Sequence, residues 1–106
     1  MEYVEEYDEQ CLDYTQKIEN AFRKSKKGSD AEKKRILNGI EGHIKDLKAV
    51  LKYYKSDLYL VPKAKEAEYR QKYDSYHEKI AKYEVAKTKM EMVLDKDAEG
   101  LRALKH

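Results

Sequence analysis

Apolar and aromatic side chains recur every three or four residues along three segments, and this spacing constrains the fold more than any other feature. It places the side chains on one face of an α-helix, whereas a half-buried strand would need strict alternation. The first segment's stripe consists of Val4, Tyr7, Cys11, Tyr14, Ile18 and Phe22. The second consists of Ile36, Leu37, Ile40, Ile44, Leu47, Leu51, Tyr54 and Leu58. The third consists of Tyr69, Tyr73, Tyr76, Ile80, Tyr83, Ala86 or Lys87, Met90 and Leu94.

Two turns with distinct sequence signals separate these segments. Gly28 can adopt the left-handed conformation that closes a helix, and basic residues precede it, as the helix dipole favours. Ser29 and Glu32 then fit a capping box at the start of the second helix. Pro62 suits the first position of the third helix, because no amide hydrogen is needed there.

The length and composition agree with three short helices in a single domain. The chain has 106 residues, with one Pro and many strong helix formers. We therefore predict an all-α, up-down-up antiparallel three-helix bundle with helices over about residues 3–25, 30–58 and 62–95. The bundle would span residues 1–95, with its third helix ending between Asp97 and Gly100. Residues 96–106 would form a tail or the start of a linker to a downstream region.

The third stripe is unusual because most of its members are tyrosines. In a thin bundle, Tyr can bury its ring while its hydroxyl reaches water or a partner, so we interpret the stripe as core. A stacking surface for single-stranded nucleic acid is one alternative. A catalytic tyrosine is another, although no base or cofactor motif accompanies it. In the second helix, Gly39 and Gly42 indicate either a weak turn or the close approach of another helix.

The candidate metal ligands and nucleophiles are few. His43, His77 and His106 are the histidines, Cys11 is the one cysteine, and no pair has metal-ligand spacing. Cys11 lies on a core stripe, which favours an inert buried thiol. His43 falls beside a stripe, which favours a boundary residue. We expect no metal, no cofactor, no small-molecule substrate and no enzymatic activity. The absence of a signal-peptide pattern and of ~20 consecutive apolar residues predicts a soluble, cytoplasmic fragment.

Two surface features could bind partners. Residues 23–35 carry seven bases against two acids, which suits phosphates or acidic lipid head groups, but helix-end chemistry and solvation also explain them. The second turn places three apolar residues in a row before Pro62, more than capping requires. We predict that this turn binds a partner through Tyr59, Leu60, Val61, Lys63 and Lys65.

The order of these features resembles a known family over about residues 5–90. The second helix reads Arg35-Ile36-Leu37, Ile40-Glu41, Ile44, Leu47 and Val50-Leu51. Asp57-Leu58 and Val61-Pro62 follow, and then Tyr69, Tyr73, Tyr76 and Ile80. The opening "EYDEQCLDYTQKI" looks like the first helix of the same family. Together they resemble the N-terminal domain of the Vti-type vesicle SNAREs.

This resemblance implies a Habc-like, t-SNARE-type three-helix domain with a regulatory role in intracellular vesicle transport. Such a domain is recognised by trafficking adaptors, notably ENTH domains, at the cytosolic face of Golgi and endosomal membranes. Cognate SNAREs would bind a downstream SNARE motif, and a C-terminal anchor would attach the protein to the membrane. Neither lies within the 106 residues, so the chain would be a domain excerpt.

Two other functions remain open from the residues alone. A helical nucleic-acid-binding domain would use the basic turn and the tyrosines. A net charge of +2 does not by itself indicate nucleic-acid binding, and the leading interpretation includes no nucleic-acid partner. A self-associating structural bundle would pair the same stripes between chains.

Overall fold

Three α-helices and one short 3₁₀ turn make up the fold. The structure is a computed structural model that describes the backbone of residues 2–105 and the side chains of residues 3–95. The helices are α1 (Glu2–Ser25), α2 (Asp30–Asp57) and α3 (Lys63–Lys105), and the 3₁₀ turn is Leu58–Leu60. No strand occurs within residues 2–105. The all-α prediction is confirmed.

The turn between α1 and α2 is closed by hydrogen bonds that the sequence predicted only in part. Ser29 Oγ accepts the backbone N–H of Glu32 at 3.3 Å, which confirms the serine half of the predicted capping box. The left-handed conformation expected of Gly28 is wrong, because no residue of the described backbone has a positive φ. Gly28 instead gives room to Glu32, whose Oε2 would lie 2.8 Å from an added Cβ.

The connection between α2 and α3 is short and well bonded. The backbone N–H of Val61 donates to the carbonyl of Leu58 at 3.3 Å, which closes the 3₁₀ turn. The carbonyl of Pro62 then accepts the N–H groups of Lys65 and Glu66 at 2.9 and 3.1 Å. Pro62 therefore precedes the first residue of α3 by one position, where its missing N–H leaves no bond unmade.

The third helix is longer than the sequence analysis predicted. Its expected end between Asp97 and Gly100 is wrong, since α3 continues to Lys105. A single glycine costs a helix only about 1 kcal/mol, and the Leu, Arg, Ala and Lys residues after Gly100 are strong helix formers. At 43 residues α3 exceeds α1 and α2, which have 24 and 28, and the molecule is 65 Å long and 17 Å wide. The predicted tail, residues 96–106, has no described side chains.

The core takes residues from all three helices and from the turn. All three predicted stripes contribute, which supports the periodicity argument. The buried apolar residues are Val4, Cys11, Ile18, Leu37, Ile40, Ile44, Leu47, Leu51, Tyr54, Leu58, Val61, Tyr76, Ile80 and Leu94. Partly buried residues packed against them include Tyr7, Tyr14, Phe22, Tyr69, Tyr73, Tyr83 and Met90.

Two buried polar residues, Thr15 and Ser25, were missed by the sequence analysis. Each satisfies its hydroxyl within its own helix: Thr15 Oγ1 donates to the carbonyl of Leu12 at 2.8 Å, and Ser25 Oγ donates to that of Phe22 at 2.6 Å. Thr15 lies four residues after Cys11 on the same helix face, so its position on the stripe was the available signal.

Contacts between the helices define the two ends of the rod. At one end, Tyr54 Oη lies 3.3 Å from Asp8 Oδ1 and 3.2 Å from the carbonyl oxygen of Tyr69. The start of α1, the end of α2 and the start of α3 therefore meet there. At the other end, Ser25 Oγ lies 3.7 Å from Met90 Sδ. The end of α1 lies there beside the later part of α3.

The two glycines within α2 face open space. An added Cβ at Gly39 or Gly42 would meet nothing within 4 Å. Of the two explanations for these glycines, the close approach of another helix is therefore wrong. Both positions weaken α2, and the described residues offer no packing reason for them.

Candidate protein-interaction surfaces

The turn between α2 and α3 divides its four apolar residues into two buried and two exposed. Leu58 and Val61 are 4% and 7% exposed, whereas Tyr59 and Leu60 are 81% and 66% exposed. A 3₁₀ turn has three residues per turn, so Leu58 and Val61 lie on one side and both face the core. Val61, predicted as a partner contact, is thus part of the core in this chain.

Two lysines extend the exposed part of this turn. Lys63 and Lys65 lie in the first turn of α3, and both are exposed. Within residues 3–95 neither one forms an ion pair; the nearby acid Glu66 pairs instead with Arg70, at 2.9 Å. Positive charge at a helix N-terminus is locally unfavourable, so an acidic partner would relieve it. We call Tyr59, Leu60, Lys63 and Lys65 the turn surface.

The tyrosines of α3 point their rings inward and their hydroxyls toward α1. Tyr76 is buried, and its hydroxyl donates to the carbonyl of Asp8 at 3.3 Å. The hydroxyl of Tyr69 donates to Glu5 Oε1 at 3.4 Å. Tyr73 packs its ring 5.7 Å from that of Tyr54. The rings that would have to stack on bases pack against protein instead, and α1 supplies acceptors for the polar tips.

The buried hydroxyl and thiol groups are held in their neutral forms. Burial, and after it the charge of Asp8, raises the pKa values of Tyr54 and Tyr76 well above their usual range. Burial raises the pKa of Cys11 from 9.0 to about 12, and that of Tyr83 from 10.0 to about 12. A thiolate or tyrosinate nucleophile needs a lowered pKa, so these groups lack the activation that such chemistry requires.

The histidines do not gather into a site in the described part of the chain. His43 is partly buried, with its ring 6.3 Å from Tyr14, and His77 is exposed, with its ring 4.6 Å from Tyr73. His106 lies outside the described residues. Among those described, no three His, Cys, Asp or Glu side chains are placed to hold a metal ion together.

A second apolar surface, which the sequence analysis missed, lies at the other end of the rod. Val85, Met92 and Val93 on α3 are each more than half exposed. Val85 and Met92 are seven residues apart, two helical turns, and lie on a face distinct from the core stripe. That second spacing was the signal available in the sequence.

A groove of about 380 Å³ lies next to these residues, and we call it the basic groove. Ser25, Lys26, Asp30 and Lys33 line it from the α1–α2 side, and Lys89, Met90, Val93 and Leu94 line it from α3. It exists because α1 ends at Ser25 while α3 continues past the turn. Beyond the end of α1, Leu94 is still buried beside α2, whereas Met90 is only partly buried and Val93 is largely exposed.

The lysines of the basic groove differ in their ion pairing from the lysines along the contact between α2 and α3. Lys87 lies 3.9 Å from Glu41 and also pairs with Glu91, and Lys48 pairs with Glu84. By contrast, Lys26, Lys33 and Lys89 form no ion pair with any side chain from 3 to 95. The basic run predicted from sequence thus contributes unpaired charge to a concave apolar surface.

Comparison with known proteins adds no relative. No protein-family model, curated protein or solved structure matches this chain. No described helix is long and apolar enough to cross a membrane.

Proposed function

We propose that this chain is a non-enzymatic protein-interaction domain that binds its partner through the turn surface. The observation that carries the proposal is the exposure of Tyr59 and Leu60, 81% and 66%, between two residues that are buried. Tyr is enriched among the residues that dominate binding energy at interfaces. A partner with an apolar pocket and an acidic rim would bury both side chains and pair with Lys63 and Lys65.

A binding role is favoured over a catalytic one by where the side chains lie. Within residues 3–95, the stripes of all three helices pack against one another, so their side chains form a core rather than the walls of a substrate cleft. Cys11, the one thiol, is fully buried. What remains for function is the outside of the rod, where chemistry needs preorganised polar groups but binding needs only complementary shape and charge.

The proposal includes an up-down-up order of the helices. It is supported by contacts that bring the start of α1, the end of α2 and the start of α3 together around Asp8, Tyr54 and Tyr69. The contact between Ser25 and Met90 at the opposite end agrees with α1 and α3 running in the same direction.

The proposed class is the N-terminal domain of a vesicle SNARE, and it rests on the resemblance to the Vti-type family over about residues 5–90. The partner would then be a trafficking adaptor with an ENTH domain, at the cytosolic face of Golgi or endosomal membranes. Cognate SNAREs would bind a SNARE motif outside this sequence, and membrane attachment would come from an anchor outside it. The turn surface gives that adaptor a specific docking point.

The test is calorimetric titration of the chain with ENTH domains of epsin-related adaptors. Tyr59→Ala combined with Leu60→Ala should weaken binding about thirtyfold, because both residues would be buried at the interface. Their exposure in the free chain means that unfolding free energy should change by no more than about 0.5 kcal/mol.

The matched control is Val85→Ala combined with Met92→Ala. These two residues are also exposed, but they lie in α3 far from the turn that carries Tyr59 and Leu60. This variant should bind the adaptor as the unchanged chain does. Equal binding by the Tyr59 and Leu60 variant would overturn the turn surface as the docking point. Failure of the unchanged chain to bind any such domain would overturn the adaptor assignment.

A further inference from the structure

We infer that the basic groove is a second docking site, and that it takes an acidic amphipathic helix from a partner protein. This inference is independent of the turn surface, which lies at the opposite end of the rod. It rests on three properties of the groove: an apolar floor, a rim of lysines that form no ion pair among residues 3–95, and a concave shape between two elements.

The floor of the groove is apolar and adaptable. Val93 is 58% exposed although it adjoins the buried Leu94, and Met90 is partly buried beside it. Methionine has three rotatable bonds and a polarisable sulfur, so it adjusts to partners of different shape. An exposed apolar floor of this kind loses contact with water when a partner's apolar side chains cover it.

The rim selects for negative charge. Lys26, Lys33 and Lys89 border the floor, and Asp30 is the single acid among the described residues that line the groove with them. Other bases lie close in sequence: Arg23 and Lys24 at the end of α1, Lys27 in the turn, and Lys34 and Arg35 near the start of α2. Glu91 and Asp95 line the adjoining surface beside Lys34, so the positive field is strongest on the side of the α1–α2 turn. A partner must therefore be acidic there to bind without like-charge repulsion.

The shape selects for a helix rather than for a membrane surface. The floor lies between the α1–α2 turn and α3, with lysines on both sides of it. A helix with apolar residues at positions i, i+3, i+4 and i+7 fills such a groove, while acids on its flanks reach the two rims. A flat anionic bilayer would reach the lysine tips but not the floor between them.

The experiment uses a fluorescein-labelled peptide of about 18 residues, long enough to form a helix on binding. It has Leu at i, i+3, i+4 and i+7 and Glu at most other positions. Fluorescence anisotropy should show that it binds the chain and that added salt weakens binding. Lys26→Glu, Lys33→Glu and Lys89→Glu together should weaken it at least about tenfold. Val93→Ser should weaken it about fivefold, because it makes the floor polar.

The matched control reverses three exposed lysines at the opposite end, Lys52→Glu, Lys63→Glu and Lys65→Glu, which changes the net charge equally. This variant should bind the peptide within about twofold of the unchanged chain, since its substitutions lie beyond the ~10 Å screening length from the groove. Thermal unfolding followed by circular dichroism should show a cooperative transition for both triple variants, which separates lost binding from lost folding. The control variant should be at least as stable, because Lys63→Glu and Lys65→Glu place acids at a helix N-terminus.

Four results would overturn the inference. One is equal binding of a peptide with the same composition in scrambled order, since charge alone would then suffice. Another is equal loss of binding in both triple variants. A third is tighter binding of the chain to phosphatidylserine vesicles than to the peptide. If the groove substitutions abolished this vesicle binding, the groove would be assigned to a membrane surface. The last is self-association of the chain in sedimentation that the groove substitutions abolish, which would assign it to a second copy.

Discussion

The α1–α2 pair and α3 contribute to the same core in different ways. α1 and α2, together with the adjoining Leu58, supply ten of the buried apolar residues. Most of these ten are aliphatic and almost inaccessible to solvent. α3 supplies Tyr76, Ile80 and Leu94, which are slightly more exposed. The rest of its stripe is half-buried tyrosine and methionine. Packing therefore favours the α1–α2 pair as the more stable unit, with α3 attached to it through rings and hydroxyls.

This difference explains where the candidate interaction surfaces lie. Both are located where α3 departs from the α1–α2 pair: the turn surface where α3 begins, and the basic groove where α3 continues past the end of α1. The α1–α2 pair also exposes the apolar residues Tyr3, Leu12 and Tyr53. The two proposed surfaces instead use apolar residues at the two ends of the contact between α3 and that pair.

The largest expected effect compares one core residue from each region. Leu47→Ala in α2 should lower the unfolding free energy by about 4 kcal/mol, because Leu47 is fully enclosed and its neighbours cannot collapse into the space. Ile80→Ala in α3 should lower it by about 2 kcal/mol, because a helix packed on fewer sides can shift inward. Urea denaturation measures both. Equal losses would remove the proposed difference between the regions.

A second test uses alkaline pH, because groups in both regions have raised pKa values. The folded pKa of Cys11 rises from 9.0 to about 12, and that of Tyr83 from 10.0 to about 12. Each neutral form therefore stabilises the fold fully below the unfolded value, and this stabilisation is lost as the pH rises toward about 12. Urea midpoints should be constant from pH 7 to about 8.5 and fall above that.

Tyr83→Phe should make this alkaline decline shallower above about pH 10, because one buried tyrosine of α3 is removed while Cys11, Tyr54 and Tyr76 remain. If the stability began to fall only near pH 10, where tyrosines of the unfolded chain ionise, the Cys11 thiol would not contribute to the decline. No decline up to pH 11 would contradict the burial of both groups.

A smaller effect distinguishes two tyrosine hydroxyls. Tyr54 directs its hydroxyl at Asp8 and at the carbonyl of Tyr69, so Tyr54→Phe should cost about 1.5 kcal/mol of unfolding free energy. The Tyr83 hydroxyl is enclosed near the carboxylate of Glu19 but forms no hydrogen bond of good geometry among the described residues, so Tyr83→Phe at pH 7 should cost less than Tyr54→Phe, about 0.5 kcal/mol or less. The same loss in both variants would mean that the Tyr83 hydroxyl has an acceptor.

Periodicity predicted the helices and most of the core, because burial of a helix face follows directly from spacing. Every residue from Leu37 to Leu58 that was assigned to the second stripe is buried. The orientation of Val61 could not be predicted, since it depends on the 3₁₀ geometry of the turn. The conformation of Gly28 could not be predicted either, because glycine permits a positive φ without requiring it.

The basic groove was beyond sequence reasoning for a different reason. It depends on where α1 ends relative to the path of α3, which is a property of two elements far apart in the chain. The exposed pair Val85 and Met92 carried a signal in their spacing, but the lysines around Val93 come from another helix and its turn. For the turn surface, the sequence indicated the segment but could not show which of its apolar side chains are exposed.

The smallest expected effect concerns the exposed glycines of α2. Gly39→Ala and Gly42→Ala should each raise the unfolding free energy by about 0.5–1 kcal/mol, because nothing lies within 4 Å of the added methyl groups. Thermal denaturation measures the gain. Ala substitutions that destabilise the chain would place another element near these positions and would weaken the assignment of this side of α2 to solvent.

Amide hydrogen exchange tests the central claim most directly, namely that the stripes of all three helices face one another and that α3 is the least tightly held. The expected result is the slowest exchange from Leu37 to Leu51 in α2 and from Cys11 to Ile18 in α1. Residues 69–83 of α3 should exchange more quickly than these but far more slowly than an unfolded chain. Exchange of residues 69–83 at unfolded rates would contradict the claim, because the tyrosine stripe would then lie outside the core.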